Sequence, residues 1–266
     1  MKTQSLDRRS FLAATGTLGL AAFGALSSTA ATQDSADRQF LVLQKYTIEK
    51  EEQKTALDAF FKDAAIPALN RLGIQPVGVF SDTKESSTIF VLLPHPTIES
   101  AIGLTSKLLS DKEFVAKGAS VLDAPKSAPA YKEIEAWLML AFKGMPKVEL
   151  PAKGPNRIFQ LRIYESPSLQ TGQKKIEMFN DAGELKIFRE VGLTPVFFGE
   201  TLFGAKMPNL TYMLGFEDAD AQKAAWGKFG RHPEWQKLRA MPEYADSRII
   251  RGITNLVLKP AAYSQI

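Results

Sequence analysis

The sequence has no cysteine and only two histidines in 266 residues. Without cysteine there can be no disulfide framework, thiolate nucleophile, Cys-ligated zinc or iron–sulfur cluster. Two histidines cannot furnish an all-histidine metal site within one chain. A charge excess is also missing, since 33 Lys+Arg stand against 29 Asp+Glu. No stripe of clustered basic residues marks a nucleic-acid face. The phosphate-cradling G-x-G-x-x-G and G-x-x-x-x-G-K-[ST] patterns are absent, as is the G-x-S-x-G nucleophile elbow. The longest apolar run, residues 13–26, is shorter than the roughly 20 residues that span a bilayer. What is present, 45% hydrophobic and 23% charged residues, is the balance of an ordinary globular protein with one large domain or two small ones.

Residues 1–30 read as a targeting segment. Arg8-Arg9 is followed by Ser10-Phe11-Leu12, a small-residue apolar run and the cleavage-site residues Ser28-Thr29-Ala30. Charged start, apolar middle and small-residue site describe an export signal, and the paired arginines point to the twin-arginine type. The expectation is therefore a periplasmic or extracellular protein with no stable membrane insertion once the signal is removed. The segment holds three basic residues and one acidic residue, so its loss leaves 30 basic against 28 acidic, a net +2. The pI near 9.1 thus overstates the case for a basic partner, and no nucleic-acid partner is expected.

Beyond a polar stretch at 31–38 the chain repeats itself. Leu72-Gly73-Ile74-Gln75-Pro76-Val77 matches Val191-Gly192-Leu193-Thr194-Pro195-Val196 at an offset of 119. Upstream, the same offset aligns Leu57, Phe60, Ala64, Ala68 and Leu72 with Ile176, Phe179, Gly183, Ile187 and Val191, a spacing that places five residues on one helix face. A glycine ends each predicted helix, where a left-handed residue is wanted. Strands are expected at 40–47, 87–93 and 134–142, and again at 157–165, 209–216 and 248–258, with a further strand after each proline. Second helices are expected at 97–109 and 219–229. Each copy then reads strand-helix-strand-strand-helix-strand, an α+β ferredoxin-like unit. Repeat one spans 39–143, a Pro/Gly-punctuated linker 144–156, and repeat two 157–266. A ferredoxin-like sheet has one uncovered face, so the two sheets are expected to pack together as an α/β barrel within one chain. Two separate domains that pair with other molecules, up to a homodimer, are the alternative.

Repeat two resembles a NIPSNAP domain. The resemblance lies in Gln160-Leu161-Arg162-Ile163-Tyr164-Glu165, in Gly192-Leu193-Thr194-Pro195-Val196, in the aromatic helix from Trp226 to His232-Pro233-Glu234-Trp235, and in Leu258 to Ser264. Repeat one matches only in outline: it lacks both tryptophans and has Asp111-Lys112-Glu113-Phe114 in place of His-Pro-Glu-Trp. The resemblance implies a dimeric α/β-barrel fold, often in tandem copies and in some exported bacterial members, with a mostly undefined biochemical role. It carries over no catalytic residue.

Candidate site residues are few. His232, with Trp226 and Trp235 close in sequence, suits either a haem ligand or general base, or a structural cap for which Asp111 would substitute in repeat one. His95, fenced by Pro94 and Pro96, is expected in an exposed turn. Arg162 and Tyr164 share a strand face. If that face lines the barrel, they would meet an anionic or carbonyl-bearing ligand, as would Gln44 and Tyr46 in repeat one, with Glu200 a possible partner of Arg162. Asn209 and Thr211 fit a glycosylation pattern but fall within a strand. The expected function is binding of a small apolar or aromatic molecule in the barrel. The alternatives are a cofactor-free or haem-dependent monooxygenase, or a structural protein with a filled barrel. No metal is expected, and no cofactor beyond that lesser haem option.

Overall fold

The computed structural model describes residues 37–266. The export segment at 1–30 and most of the polar stretch after it lie outside the described residues. Repeat one contributes β1 (Phe40–Thr47), α1 (Glu51–Phe60), a π-helical turn (Phe61–Ala65), α2 (Ile66–Arg71), β2 (Gly78–Asp82), β3 (Thr88–His95), α3 (Ile98–Ile102), α4 (Leu104–Ser110), α5 (Lys112–Leu122) and β4 (Glu133–Ala141). Repeat two contributes β5 (Ile158–Glu165), α6 (Leu169–Asn180), α7 (Glu184–Val191), β6 (Thr194–Phe203), β7 (Asn209–Phe216), α8 (Ala219–Arg231), α9 (Pro233–Arg239), α10 (Asp246–Ile249) and β8 (Gly252–Pro260). The eight strands close in the order β1-β3-β2-β8-β5-β7-β6-β4, all antiparallel. Each repeat supplies four consecutive strands of the ring, so the barrel closes within one chain.

Local chemistry sets the helix ends. Asp111, Ser168 and Asp218 accept hydrogen bonds from the first-turn amides of α5, α6 and α8. Gly73 and Gly192 end the first helical arm of each repeat at φ 75° and 86°, the left-handed geometry expected of them. The single helix face expected at 3-4-4-4 spacing is not formed. Gly183 takes φ 95° and splits α6 from α7, the π turn interrupts the equivalent arm of repeat one, and Leu72 is exposed. The offset before this break is 118, because α1 and α6 begin at Glu51 and Leu169. Phe61, packed edge-on to Tyr46, is therefore the counterpart of Phe179 beside Tyr164. After the break the offset is 119. Residues 248–250, read as strand, belong instead to α10 and the turn that follows it.

The two repeats also clasp each other through their trailing segments. Phe142 N donates to Phe198 O at 2.9 Å, and Ala261 N donates to Val79 O at 2.9 Å, the same bond at an offset of 119. Residues after β4 therefore run onto repeat two, and residues after β8 run onto repeat one. The middle of the lumen is packed: Leu41, Leu43, Phe80, Phe159, Leu161 and Met213 are at most 1% exposed, and the Phe80 and Phe159 rings meet across the sheets at 5.0 Å. One end stays open as a hollow of about 250 Å³ beside Phe90, Trp137, Ile163 and Leu256. Alternate residues of β1 and β5 point outward to the helices, where each repeat has its own apolar layer.

Candidate functional site

Arg162 and Tyr164 lie on the outward face of β5, beneath the helices and not in the barrel lumen. Tyr164 is 8% exposed, and burial pushes its phenol up to about 12 against the opposing pull of Arg162. The hydroxyl of Tyr212 donates to that of Tyr164 at 3.1 Å. The Arg162 guanidinium lies 4.8 Å from the Trp226 ring and 5.1 Å from the Tyr164 ring. Trp226 Nε1 donates to Gln160 Oε1 at 2.6 Å, which anchors α8 to the sheet. Beside this cluster Lys175 and Glu184 form an ion pair at 2.8 Å, with side chains only 2% and 3% exposed. Burial raises the Glu184 carboxyl above its ordinary range, opposed by Lys175. Trp235 packs on Phe229 at 4.3 Å. What remains open here is about 50 Å³.

The same place in repeat one is a cavity of about 320 Å³. Its floor is Gln44 and Tyr46, its walls Phe61, Leu69, Val91 and Phe114, and its roof Leu104, Thr105 and Leu108 of α4. Strand pairing fixes the correspondence: Tyr46 faces Ile89 as Tyr164 faces Leu210, and Gln44 faces Val91 as Arg162 faces Tyr212. Several large residues that fill repeat two have smaller counterparts here. Val91 replaces Tyr212, Ala65 replaces Glu184 and Leu69 replaces Phe188; on the roof Thr105 replaces Trp226 and Leu108 replaces Phe229, with Phe114 for Trp235. Leu57 occupies the position of Lys175. These smaller side chains leave the space that the side chains of repeat two fill.

Tyr46 is 8% exposed, and burial holds its phenol well above the ordinary value, so it stays un-ionised. Its hydroxyl donates to Gln44 Oε1 at 3.2 Å, and Tyr131 lies edge-on to it at 5.6 Å. Neither α3 nor α4 carries a buried residue. Leu109, Leu122 and Ile134 line the cavity and are 56%, 38% and 39% exposed, so they form its mouth.

The remaining sequence candidates lie apart. His232 sits between α8 and α9, with Pro233 opening α9, but its side chain caps no helix. Its Nε2 lies 3.6 Å from Glu190 of α7, and its Nδ1 is enclosed without a partner among the described residues. The equivalent contact in repeat one is an ion pair with the acidic and basic residues exchanged in position, Arg71 to Asp111 at 2.6 Å, and there Asp111 does cap α5. The expected cap is therefore real for Asp111 and replaced at His232 by a cross-helix contact. His95 is fully buried, contrary to the exposed turn expected of it, because it ends β3 on the helix-facing side. Its Nδ1 meets Ser100 Oγ at 3.1 Å and its Nε2 has no partner among the described residues. Burial first, then Lys107, lowers its imidazole to about 4. Glu200 accepts from Gln173 at 2.5 Å and makes no pair with Arg162. Asn209 is buried in β7. Neither imidazole lines the 320 Å³ cavity, so it offers no axial histidine to a haem. No group of three or more His, Asp or Glu able to hold a metal occurs among the described residues.

The sequence profile of the NIPSNAP family matches residues 159–265. Repeat two is a NIPSNAP domain. No curated protein matches the chain. Among solved structures, a proposed monooxygenase from Fusobacterium nucleatum is 9% identical with TM-score 0.58, covering 84% of this chain and 92% of its own. A second proposed monooxygenase, from Lactobacillus acidophilus, is 10% identical with TM-score 0.54 over 84% and 94%. A NIPSNAP family protein from Agrobacterium tumefaciens is 19% identical with TM-score 0.36, covering 41% of this chain and 97% of its own. The first two share the whole barrel fold with this chain. The NIPSNAP domain here keeps its tryptophan helix, and the tryptophans close its cavity; repeat one, which lacks them, keeps its cavity open.

Among the residues that shape the cavity, Thr105, Ala65, Leu69 and Val91 carry no signal readable in advance, because each matters by being small. Lys175 and Glu184 also escape sequence reasoning, since nine residues and a helix break separate them.

Proposed function

We propose that this protein is an exported binding protein for a small apolar or aromatic molecule held in the repeat-one cavity. The observation that carries this reading is the contrast between two equivalent sites. One chain fills the sheet–helix space of its NIPSNAP domain with tryptophan and a buried ion pair, and leaves about 320 Å³ at the matching place in repeat one. Burial of apolar surface is the dominant stabilising term for a fold, and a largely apolar hollow with aromatic walls that opens to solvent forgoes part of it until a ligand fills the space. Its size lies at the lower end of small-molecule sites. Export rests on the twin-arginine pattern of residues 1–30. The test is Thr105→Trp, which copies the NIPSNAP domain's own plug. Protein purified from its native host should release a bound small molecule to organic solvent, identified by mass spectrometry, and the variant should release none. Equal recovery from both would refute the site.

A second reading is oxygenation of that molecule, drawn from the whole-length fold similarity to the two proposed monooxygenases. Oxygen uptake in an electrode chamber on adding a candidate aromatic substrate would establish it, and an unchanged trace across a substrate panel would dismiss it.

A further inference from the structure

The two equivalent sites differ in the charge on their floors. Gln44 and Arg162 each stand two residues before the buried tyrosine of their strand. They pair with Val91 and Tyr212 on one side, and with Ala136 and Asn255 on the other. We infer that the repeat-one cavity selects an uncharged ring compound bearing a hydroxyl or carbonyl, and that Gln44 sets this choice. The inference rests on the reading of this cavity as a ligand site and deepens it.

None of the residues lining the cavity is charged. Its polar groups are the amide of Gln44 and the hydroxyls of Tyr46, Tyr131 and Thr105. The Tyr46 hydroxyl donates its hydrogen bond to Gln44 Oε1. That leaves the Gln44 Nε2 amide as a donor without a protein acceptor among the described residues, and the Tyr46 oxygen as an acceptor. A hydroxyl can use both groups and a carbonyl can use the amide. A carboxylate would enter without any cation to pair with, and an unpaired buried charge is strongly disfavoured. The NIPSNAP domain has a permanent cation at the matching position, since arginine does not deprotonate. Edge-on Phe61, Tyr131 and Tyr46 suit a flat ring, because aromatic pairs prefer edge-to-face and offset contacts.

The probes are 1-naphthol and 1-naphthoate, nearly equal in shape, one neutral and one anionic at pH 7. Isothermal titration calorimetry on the wild-type protein should show one saturable naphthol site and naphthoate binding at least tenfold weaker. Gln44→Arg, which copies the NIPSNAP domain, should reverse the order. Thr105→Trp should abolish binding of both and so locate the site. Gln44→Met serves if the arginine variant does not fold. It should keep the preference while weakening naphthol roughly fivefold, the effect of one lost hydrogen bond. Equal binding of the two probes by the wild type overturns the selectivity, and naphthol binding undiminished in Gln44→Met overturns the part Gln44 plays in it; both leave the ligand site standing. Binding of neither probe overturns the ligand site, and the selectivity with it.

Discussion

The ion pair between Lys175 and Glu184 offers the sharpest test of how the NIPSNAP domain is held together. The two side chains are 2% and 3% exposed and meet at 2.8 Å. Lys175 Nζ also lies 3.2 Å from Met178 Sδ and 4.6 Å from the Phe179 ring. Glu184→Leu would leave the ammonium with a thioether and aromatic faces and without its hydrogen-bonded carboxylate, Asp246 being the one other acid that lines this space. Removing one partner of a buried pair costs about 3–5 kcal/mol, whereas replacing both with apolar residues is often neutral or stabilising. At 2–4 °C per kcal/mol for a chain of this size, either single variant should melt roughly 6–20 °C below wild type. Lys175→Met with Glu184→Leu should lie within about 1 kcal/mol of wild type. Repeat one makes the same exchange naturally, with Leu57 and Ala65 at these positions. Urea unfolding of the four proteins, followed by tryptophan fluorescence, gives the coupling energy directly. The reasoning fails if each single variant costs less than about 1 kcal/mol, or if the double variant loses the sum of the two.

Three further outcomes can be checked. His95 is fully buried with its imidazole lowered to about 4, so it folds neutral while the unfolded chain protonates near 6.5. Stability is intact above pH 6.5 and should fall by about 3 kcal/mol by pH 4. His95→Phe, matching Phe216 of repeat two, should flatten that slope, and an unchanged slope in denaturant titrations would rule out His95 as its source. Thr105→Trp should raise or leave unchanged the melting temperature while removing naphthol binding; a large loss of stability would mean that the cavity is not free to be filled. Residues 157–266 expressed alone expose Phe159, Leu161 and Met213 of the lumen and should therefore pair into a two-copy barrel. Light scattering that shows a well-folded monomer would contradict this.

Much of the fold can be read from the chain. The Gly-Pro signatures at Gly73 and Gly192 announce two copies of one unit, and alternation in β1 and β5 announces sheets with two distinct faces. Asp111 is legible as a cap because capping is local, a carboxylate reaching amides two and three residues on. His232 is not legible in that way, since its contact with Glu190 joins residues 42 apart across two helices. His95 misleads for a related reason: flanking prolines suggest a turn, but burial is decided by what packs above the strand, here α3 with Ser100.

The sequence by itself determined the repeat, the ferredoxin-like order of elements in each copy and the identity of the second as a NIPSNAP domain. These follow from short-range periodicity, glycine geometry and motif. Only the tertiary structure decided which strand face meets the helices, that the middle of the lumen is packed, and that the larger of the two equivalent sheet–helix cavities lies in the divergent repeat. Alternation says that Arg162 and Tyr164 share a face but not which layer covers it, because that depends on strands far away in the chain. The cavity depends on Val91, Leu69, Thr105 and Ala65 converging from four elements. A void made by small side chains has no local signature, since its content is the absence of atoms at positions that only packing brings together.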